Sequence, residues 1–233
     1  RHLLDGDAAA NTLSWRWVAG LQTPGKVYAA RAGNIEKYTH GRFHPRGQLC
    51  ERIEPVTAPA APPGRPLPET GRPVDGLRSG LLLTEDDLCI KGEIFDDISP
   101  VAVAGITFAA GRSQWPVSRR VAEFSEQAVI DGLTRAAARY DLPPGALCHG
   151  ETAACISDWC LENNLEQLLV PYVPVGVSQD GMRQVQSELD RSGIRLVQLR
   201  RSLDTRLWPC ATHGFFRFRK AISQLVDSFR KTA

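Results

Sequence analysis

The first twenty residues, "RHLLDGDAAANTLSWRWVAG", combine two carboxylates, an amide and two tryptophans with a run of alanines. If residues 7–19 form a helix, Asp7, Asn11 and Trp15 share one face, because each lies four residues after the one before. The alanines at positions 8–10 leave the backbone of such a helix open to the close approach of a flat group. A planar, redox-active ligand with hydrogen-bonding edges would suit this face.

A purely structural interpretation of the same residues remains open. Asp5 or Asp7 would then cap the helix, because aspartate is a favoured N-cap residue. Asn11 would be a polar surface residue, and Trp15 and Trp17 would belong to the core. Composition and spacing alone are compatible with both interpretations.

The stretch "DGDAAANTLSWRWVAG" resembles the flavin-binding motif of the DNA photolyase/cryptochrome family, which commonly reads "DGDLAANxxxWQW". The motif positions are filled without a gap by Asp5, Gly6, Asp7, Ala9, Asn11, Trp15 and Trp17. The segment that follows, "GKVYAARAGNIEKYTHGRFHP", resembles the end of the flavin domain in a bacterial branch of that family. The resemblance to the flavin domain covers about the first fifty residues of the chain, and "LLLTEDDLCI", "LVPYVPVG" and "WPCATHGFFRFRKAI" further along resemble parts of the family's antenna-type domain.

The resemblance implies FAD as cofactor, with Asp5, Gly6 and Asp7 lining its isoalloxazine ring. Asn11 would face the flavin N5 atom. Trp15 would be the flavin-proximal member of a chain of tryptophans that transfers electrons. Both residues are therefore expected to act in the photochemistry, and no metal is expected.

The resemblance also implies a DNA partner and a lyase activity. Trp17 would lie near the pocket for the damaged base. In this family light-excited, reduced FAD donates an electron to a pyrimidine dimer flipped out of the duplex, and the dimer splits. A cryptochrome-type blue-light receptor is an alternative, and so is a non-catalytic nucleotide-binding α/β module.

The chain begins with Arg1 and reads as a part of a longer protein. Most of the helical flavin domain precedes the motif in the photolyase/cryptochrome family. We therefore expect a C-terminal fragment that is inactive by itself and completes its flavin site with the missing N-terminal part.

The strongest boundary signal is a proline-rich segment at residues 54–78, which contains seven of the 16 prolines. Proline fixes φ and removes a backbone donor, so this segment is predicted to be a semi-extended linker. Residues 1–53 are predicted to be the end of the flavin domain. Residues 79–233 are predicted to form a separate α/β domain.

Apolar runs and helical periodicities alternate after the linker. Strands are predicted within 80–88, 101–110, 145–150, 165–176 and 194–201, and helices within 118–140, 151–164, 178–193 and 214–231, with Ser178 as an N-cap. This order predicts a doubly wound, mostly parallel, Rossmann-like sheet. The family resemblance implies an antenna-type domain that can hold an antenna chromophore.

Ligands of such sheets bind at the carboxyl ends of the strands. This rule points to the loops at Glu85, Asp86 and Asp87, at Gly150, and at residues 174–181. No GxGxxG motif or P-loop occurs, so a phosphate cradle is not expected.

The basic and aromatic residues that alternate over 199–220 predict either contact with DNA or aromatic core residues beside solvated arginines. His149 and His213 are candidates for acid–base roles.

The net charge of +2 does not by itself argue for nucleic acid, and no run of 18 apolar residues predicts a membrane span. None of the six cysteines forms a CxxC pair, so we expect reduced thiols and a cytoplasmic location. The spacing of Cys148, His149, Cys155 and Cys160 fits no metal-binding pattern.

Overall fold

The chain divides into two units, residues 1–63 and 64–233. The structure is a computed structural model that describes residues 31–51, 67–150, 153–211 and 215–230, with the backbone alone at 215–217 and 228–230. In the first unit, helix α1 spans Ala32–Tyr38. The Ala32 N–H donates to Glu51 Oε1 at 2.8 Å, so the start of this helix is bonded to the chain that follows it.

The second unit contains a five-stranded sheet in which every strand is parallel to its neighbours. The predicted α/β fold is confirmed. The spatial order is β3-β2-β1-β4-β5, which is the order of a doubly wound sheet. The strands are β1 Ser79–Thr84, β2 Ala102–Thr107, β3 Ala146–His149, β4 Gln167–Pro171 and β5 Arg195–Leu199.

Helices connect and follow these strands, as the alternating pattern predicts. They are α2 Glu93–Asp96, α3 Arg119–Tyr140, α4 Ala153–Glu162, α5 Val177–Arg191, α6 Ser202–Leu207 and α7 Phe215–Arg230. Short 3-10 helices span Ala109–Arg112 and Trp208–Cys210. Within the described ranges, no helix has both the length and the apolar composition that crossing a bilayer requires.

Side chains that alternate along the strands build a core on each face of the sheet. On one face α2 and α3 pack against the strands through Leu81, Leu83, Phe95, Val103, Val129 and Leu133. On the opposite face α4 and α5 pack through Leu82, Ala104, Ile106, Ile156, Trp159, Met182 and Leu189. Burial on both faces explains the apolar runs in the three inner strands, β2, β1 and β4.

Buried Gln167, at the start of β4, holds the chain that enters β1. Its amide nitrogen donates to the Val74 carbonyl at 2.9 Å and to Ser79 Oγ at 2.8 Å, and its Oε1 accepts from the Val74 N–H at 3.0 Å. The Arg78 N–H donates to Glu166 Oε2 at 2.8 Å. The last residues of the proline-rich segment are thus bonded to the sheet, while the domain boundaries at 53 and 78 stay predictions.

One predicted helix start is wrong. Ser178 was expected to be the N-cap of α5, but the cap is Gly176, and Ser178 lies buried in the first turn. Gly176 has a φ of 143°, a backbone conformation that glycine adopts without the steric penalty of a Cβ atom. By contrast, Ser118 does cap α3, because its Oγ accepts a hydrogen bond from the Val121 N–H at 3.4 Å.

Candidate functional site

The flavin-site residues inferred from the resemblance lie outside the described residues. These are Asp5, Gly6, Asp7, Asn11, Trp15 and Trp17. Their roles stay predictions. The sites described below belong to the α/β unit.

A crevice lies where the strand order of the sheet reverses, at the carboxyl ends of β1, β4 and β5. We call it the switch-point crevice; its volume is about 370 Å³. The chain leaves β1 toward β2 on one side and leaves β4 toward β5 on the other, so the two connections diverge at this point. The crevice is lined by Asp86, Asp87, Tyr172, Pro174, Leu199, Arg200, Arg201, Asp204, Leu207, Trp208, Ala211 and Phe218.

Two aromatic rings and one arginine form a wall of this crevice. Tyr172 and Trp208 meet edge to face, with ring centroids 5.3 Å apart. The Arg200 guanidinium lies 5.4 Å from the Tyr172 ring centroid and 5.8 Å from that of Trp208. Arg200 also donates to Thr205 Oγ1 at 3.1 Å and to the Pro68 carbonyl at 2.8 Å. The rings and the cation are therefore held in place before any ligand arrives.

The second arginine of the crevice serves the structure. Arg201 forms a two-pronged ion pair with Asp87, donates to the Cys89 carbonyl and stacks over Phe95 at 5.2 Å. Burial lowers the pKa of Arg201, but the hydrogen bond to Asp87 and the charge of this carboxylate outweigh that effect and leave the pKa raised. The pair fixes the loop after β1 to the end of β5.

The charge balance of the crevice points to a flat ligand with hydrogen-bond donors. Its lining includes two arginines and three aspartates, and one arginine is already neutralised by its aspartate. Asp86 and Asp204 also line the crevice, and their carboxylates can accept hydrogen bonds. A heterocycle with N–H groups matches these groups better than a group with several phosphates.

A second cavity lies at the carboxyl ends of β2 and β3, beside the start of α5. We call it the glycine cleft; its volume is about 340 Å³. The Phe108 ring, 4% exposed, forms part of its wall. A Cβ atom added at Gly150 would lie 2.3 Å from this ring, and one added at Gly181 would lie 2.2 Å from it. The cleft is lined by Thr107, Phe108, Ala109, Ala110, Gly111, Ala122, Glu126, His149, Gly150, Val177, Asp180, Gly181 and Gln184.

The Glu85 side chain joins the ends of β1 and β2 and is only 3% exposed. Its Oε1 accepts from the Phe108 N–H at 2.7 Å, from Thr107 Oγ1 at 3.3 Å and from Arg112 at 3.3 Å. Its Oε2 is buried without a hydrogen-bond partner. Burial raises the pKa of Glu85, although the hydrogen bond from Phe108 and the charge of Arg112 oppose the shift. The carboxyl group therefore retains a proton to higher pH than an exposed glutamate.

The two histidines predicted as acid–base candidates have different outcomes. His149 lies at the rim of the glycine cleft, with its Nδ1 atom 3.8 Å from Glu126 Oε1. His213 lies outside the described residues.

The expectation of reduced thiols is wrong at one pair. Cys148 on β3 and Cys155 on α4 form a disulfide with Cα atoms 6.1 Å apart. The two residues are seven positions apart in the sequence, and their Cα separation lies within the range that a disulfide requires. The described residues contain no group of three or more histidine, cysteine or acidic side chains that could hold a metal ion.

The loops predicted to bind ligands lie at the carboxyl edge of the sheet, but they divide between two cavities. Asp86 and Asp87 line the switch-point crevice, and Gly150 lines the glycine cleft. The segment 174–181 contributes to both. The aromatic wall was not predicted; its only signal was the alternation of arginine and aromatic residues over 199–220. No protein family, curated protein or solved structure matches this chain significantly.

Proposed function

We propose that this chain is part of a light-driven flavoprotein that repairs UV-induced pyrimidine dimers in DNA. The observation that carries the proposal is the unbroken motif "DGDAAANTLSWRW" at residues 5–17. Bound FAD, when reduced and excited by light, would supply the electron that splits the dimer, and the electron would then return to the flavin. The proposal includes damaged DNA as partner and a cytoplasmic location, and the missing N-terminal part of the flavin domain completes the site.

Within this proposal the motif residues have distinct tasks. Asp5, Gly6 and Asp7 would hold the isoalloxazine ring, and Asn11 would present its amide to N5. Trp15 would pass electrons to the oxidised cofactor so that the reduced form is restored. Trp17 would face the damaged base.

The α/β unit is proposed to be the antenna-type domain of the same protein. Two observations support this role: the doubly wound strand order, and a crevice at its switch point with a wall made by Tyr172, Trp208 and Arg200. A flat, light-absorbing heterocycle with N–H donors suits that wall and the neighbouring Asp86 and Asp204 carboxylates. Such a pigment would be the antenna chromophore.

The proposal is tested by substituting Trp15 with phenylalanine in the full-length parent. Phenylalanine preserves most of the ring volume but is much harder to oxidise, so photoreduction of oxidised FAD should slow steeply while the fold survives. Repair of a dimer-containing oligonucleotide by chemically pre-reduced enzyme should persist. The photoreduction rate is measured from the absorption spectrum of the flavin after timed periods of illumination. Repair is measured by chromatography of the oligonucleotide.

A matched control exists in Trp115, which is 79% exposed and lies in the loop before α3. Trp115→Phe should leave both the photoreduction rate and repair unchanged. If Trp15→Phe photoreduces as fast as the wild type, Trp15 is not the proximal donor. A lower melting temperature with normal photochemistry would assign Trp15 to the core instead.

Two alternatives make different predictions for the same parent protein. A cryptochrome-type receptor would bind FAD and photoreduce through Trp15 but would not repair the oligonucleotide. The observation that supports a non-catalytic nucleotide-binding α/β module is the switch-point crevice. Under this alternative the full-length protein would purify without flavin.

A further inference from the structure

We propose that the Cys148–Cys155 disulfide is a reversible thiol–disulfide exchange site that controls the rigidity of the glycine cleft. The disulfide joins the end of β3 to the first turn of α4. This inference goes beyond light-driven repair, because it concerns only the α/β unit and requires neither FAD nor DNA.

The disulfide is directly connected to the cleft wall. His149 and Gly150 follow Cys148 in the chain, and both line the cleft. The Gly150 N–H donates to the Thr107 carbonyl at 2.8 Å, so the ends of β2 and β3 are held together there. Gly150 also lies against the Phe108 ring with no room for a Cβ atom. A covalent tie at Cys148 therefore restrains the residue on which the shape of the cleft depends.

The other cysteines indicate that this disulfide is not part of a stabilising framework. Cys50, Cys89, Cys160 and Cys210 are not disulfide-bonded, and Cys50 and Cys89 are exposed. A single disulfide in a chain with exposed thiols fits the transient, redox-sensing class better than the secreted, disulfide-stabilised class. Burial raises the pKa of Cys160 to about 12, so its thiol does not compete in exchange at neutral pH.

The difference in exposure between the two cysteine residues favours attack at Cys155. Cys148 is 2% exposed, whereas Cys155 is only partly buried. One thiolate of a reduced dithiol attacks Cys155 Sγ, the S–S bond breaks, and Cys148 leaves as a thiolate that takes up a proton. The second thiol of the dithiol then attacks the mixed disulfide and releases Cys155. Two electrons pass from the dithiol, which becomes a disulfide, to the cysteine pair.

The test uses the full chain in its oxidised form and after treatment with dithiothreitol. Alkylation after unfolding should modify four cysteines before reduction and all six afterwards. Amide hydrogen exchange should then show Gly150 exchanging at least about tenfold faster in the reduced chain, because a local opening becomes easier. The Tyr172 amide, which donates to the Leu199 carbonyl at 2.7 Å at the other cavity, should be unaffected.

Two variants complete the experiment. Cys155→Ser should exchange at Gly150 like the reduced wild type, with or without dithiothreitol, whereas Cys89→Ser should retain the full redox response. Three results would overturn the proposal: six modified cysteines before reduction, an unchanged Gly150 rate after it, or faster exchange at Tyr172 as well. Faster exchange at Tyr172 would mean that the disulfide stabilises the whole α/β unit and not the glycine cleft alone. If Cys155→Ser does not fold, the Gly150 exchange rates of the wild type with and without dithiothreitol still test the proposal.

Discussion

Replacing Gly181 by alanine sets two effects of opposite sign against each other inside α5. Alanine is ordinarily favoured over glycine in a helix by about 1 kcal/mol. Here the new Cβ atom would lie 2.2 Å from Cε1 and 2.4 Å from Cδ1 of Phe108. Contacts between carbon atoms are normally about 3.5–4.0 Å, so the ring would have to move.

The Phe108 ring has little freedom to move away. It is 4% exposed, and the backbone at Gly150 already approaches it so closely that a Cβ there would lie 2.3 Å from Cδ1. Overpacking of this kind costs about 1–3 kcal/mol. After the helical gain is subtracted, we expect Gly181→Ala to reduce the free energy of unfolding by up to about 2 kcal/mol.

Urea unfolding followed by circular dichroism measures this difference, with the slope m as a check that the two states stay the same. Phe108→Val is the companion variant, because valine lacks the ring atoms that meet the new Cβ. In the valine background Gly181→Ala should be neutral or stabilising, so the two substitutions should not be additive. The reasoning fails if Gly181→Ala is more stable than the wild type when Phe108 is intact, or if the substitution has the same effect with Phe108 intact as in the Phe108→Val background.

Two further substitutions test buried polar groups. One is at Glu85, which follows β1, and the other is at Gln167 of β4, which holds the chain that enters β1. Because the pKa of Glu85 is raised in the fold above its ordinary value of 4.5, the folded protein binds the extra proton, and stability should fall as pH rises through the folded pKa. Glu85→Gln should remove this slope, and urea titrations at a series of pH values would show it; a slope retained in the variant would contradict the assignment. Gln167→Leu should cost about 1–3 kcal/mol, because Val74 and Ser79 lose their buried partner. Limited proteolysis near Val74 should also accelerate, and an unchanged cleavage rate would show that the segment is held by other contacts.

The alternation of strands and helices could be predicted because its signals are local. Apolar runs and helical spacing identify β1, β2 and α3 within a few residues. The cap prediction at Ser178 is wrong, since serine is a favoured cap residue but the actual turn needs the positive φ of Gly176. A capping preference says which residue types are favoured at a helix start. The position of the start depends on the backbone conformation of the loop between β4 and α5.

The contacts that form the two cavities could not be predicted from local sequence signals. Tyr172 follows β4, Arg200 follows β5, and Trp208 lies after α6, so their contact depends on the order of strands in space. The Cys148–Cys155 pair depends on how the end of β3 and the first turn of α4 lie relative to each other. Composition carries no information about either quantity.

The central position of β1 has a consequence for how the chain folds during synthesis. Gly80 pairs with Ala102 on one side and with Leu168 on the other, so one partner is near in sequence and the second is distant. Until β4 has emerged from the ribosome, β1 exposes an unpaired edge of apolar residues, which is a template for aggregation. Pairing between such distant segments slows folding. A nascent chain stalled before Gln167 should therefore be a substrate for chaperones, whereas one that extends past β5 should not.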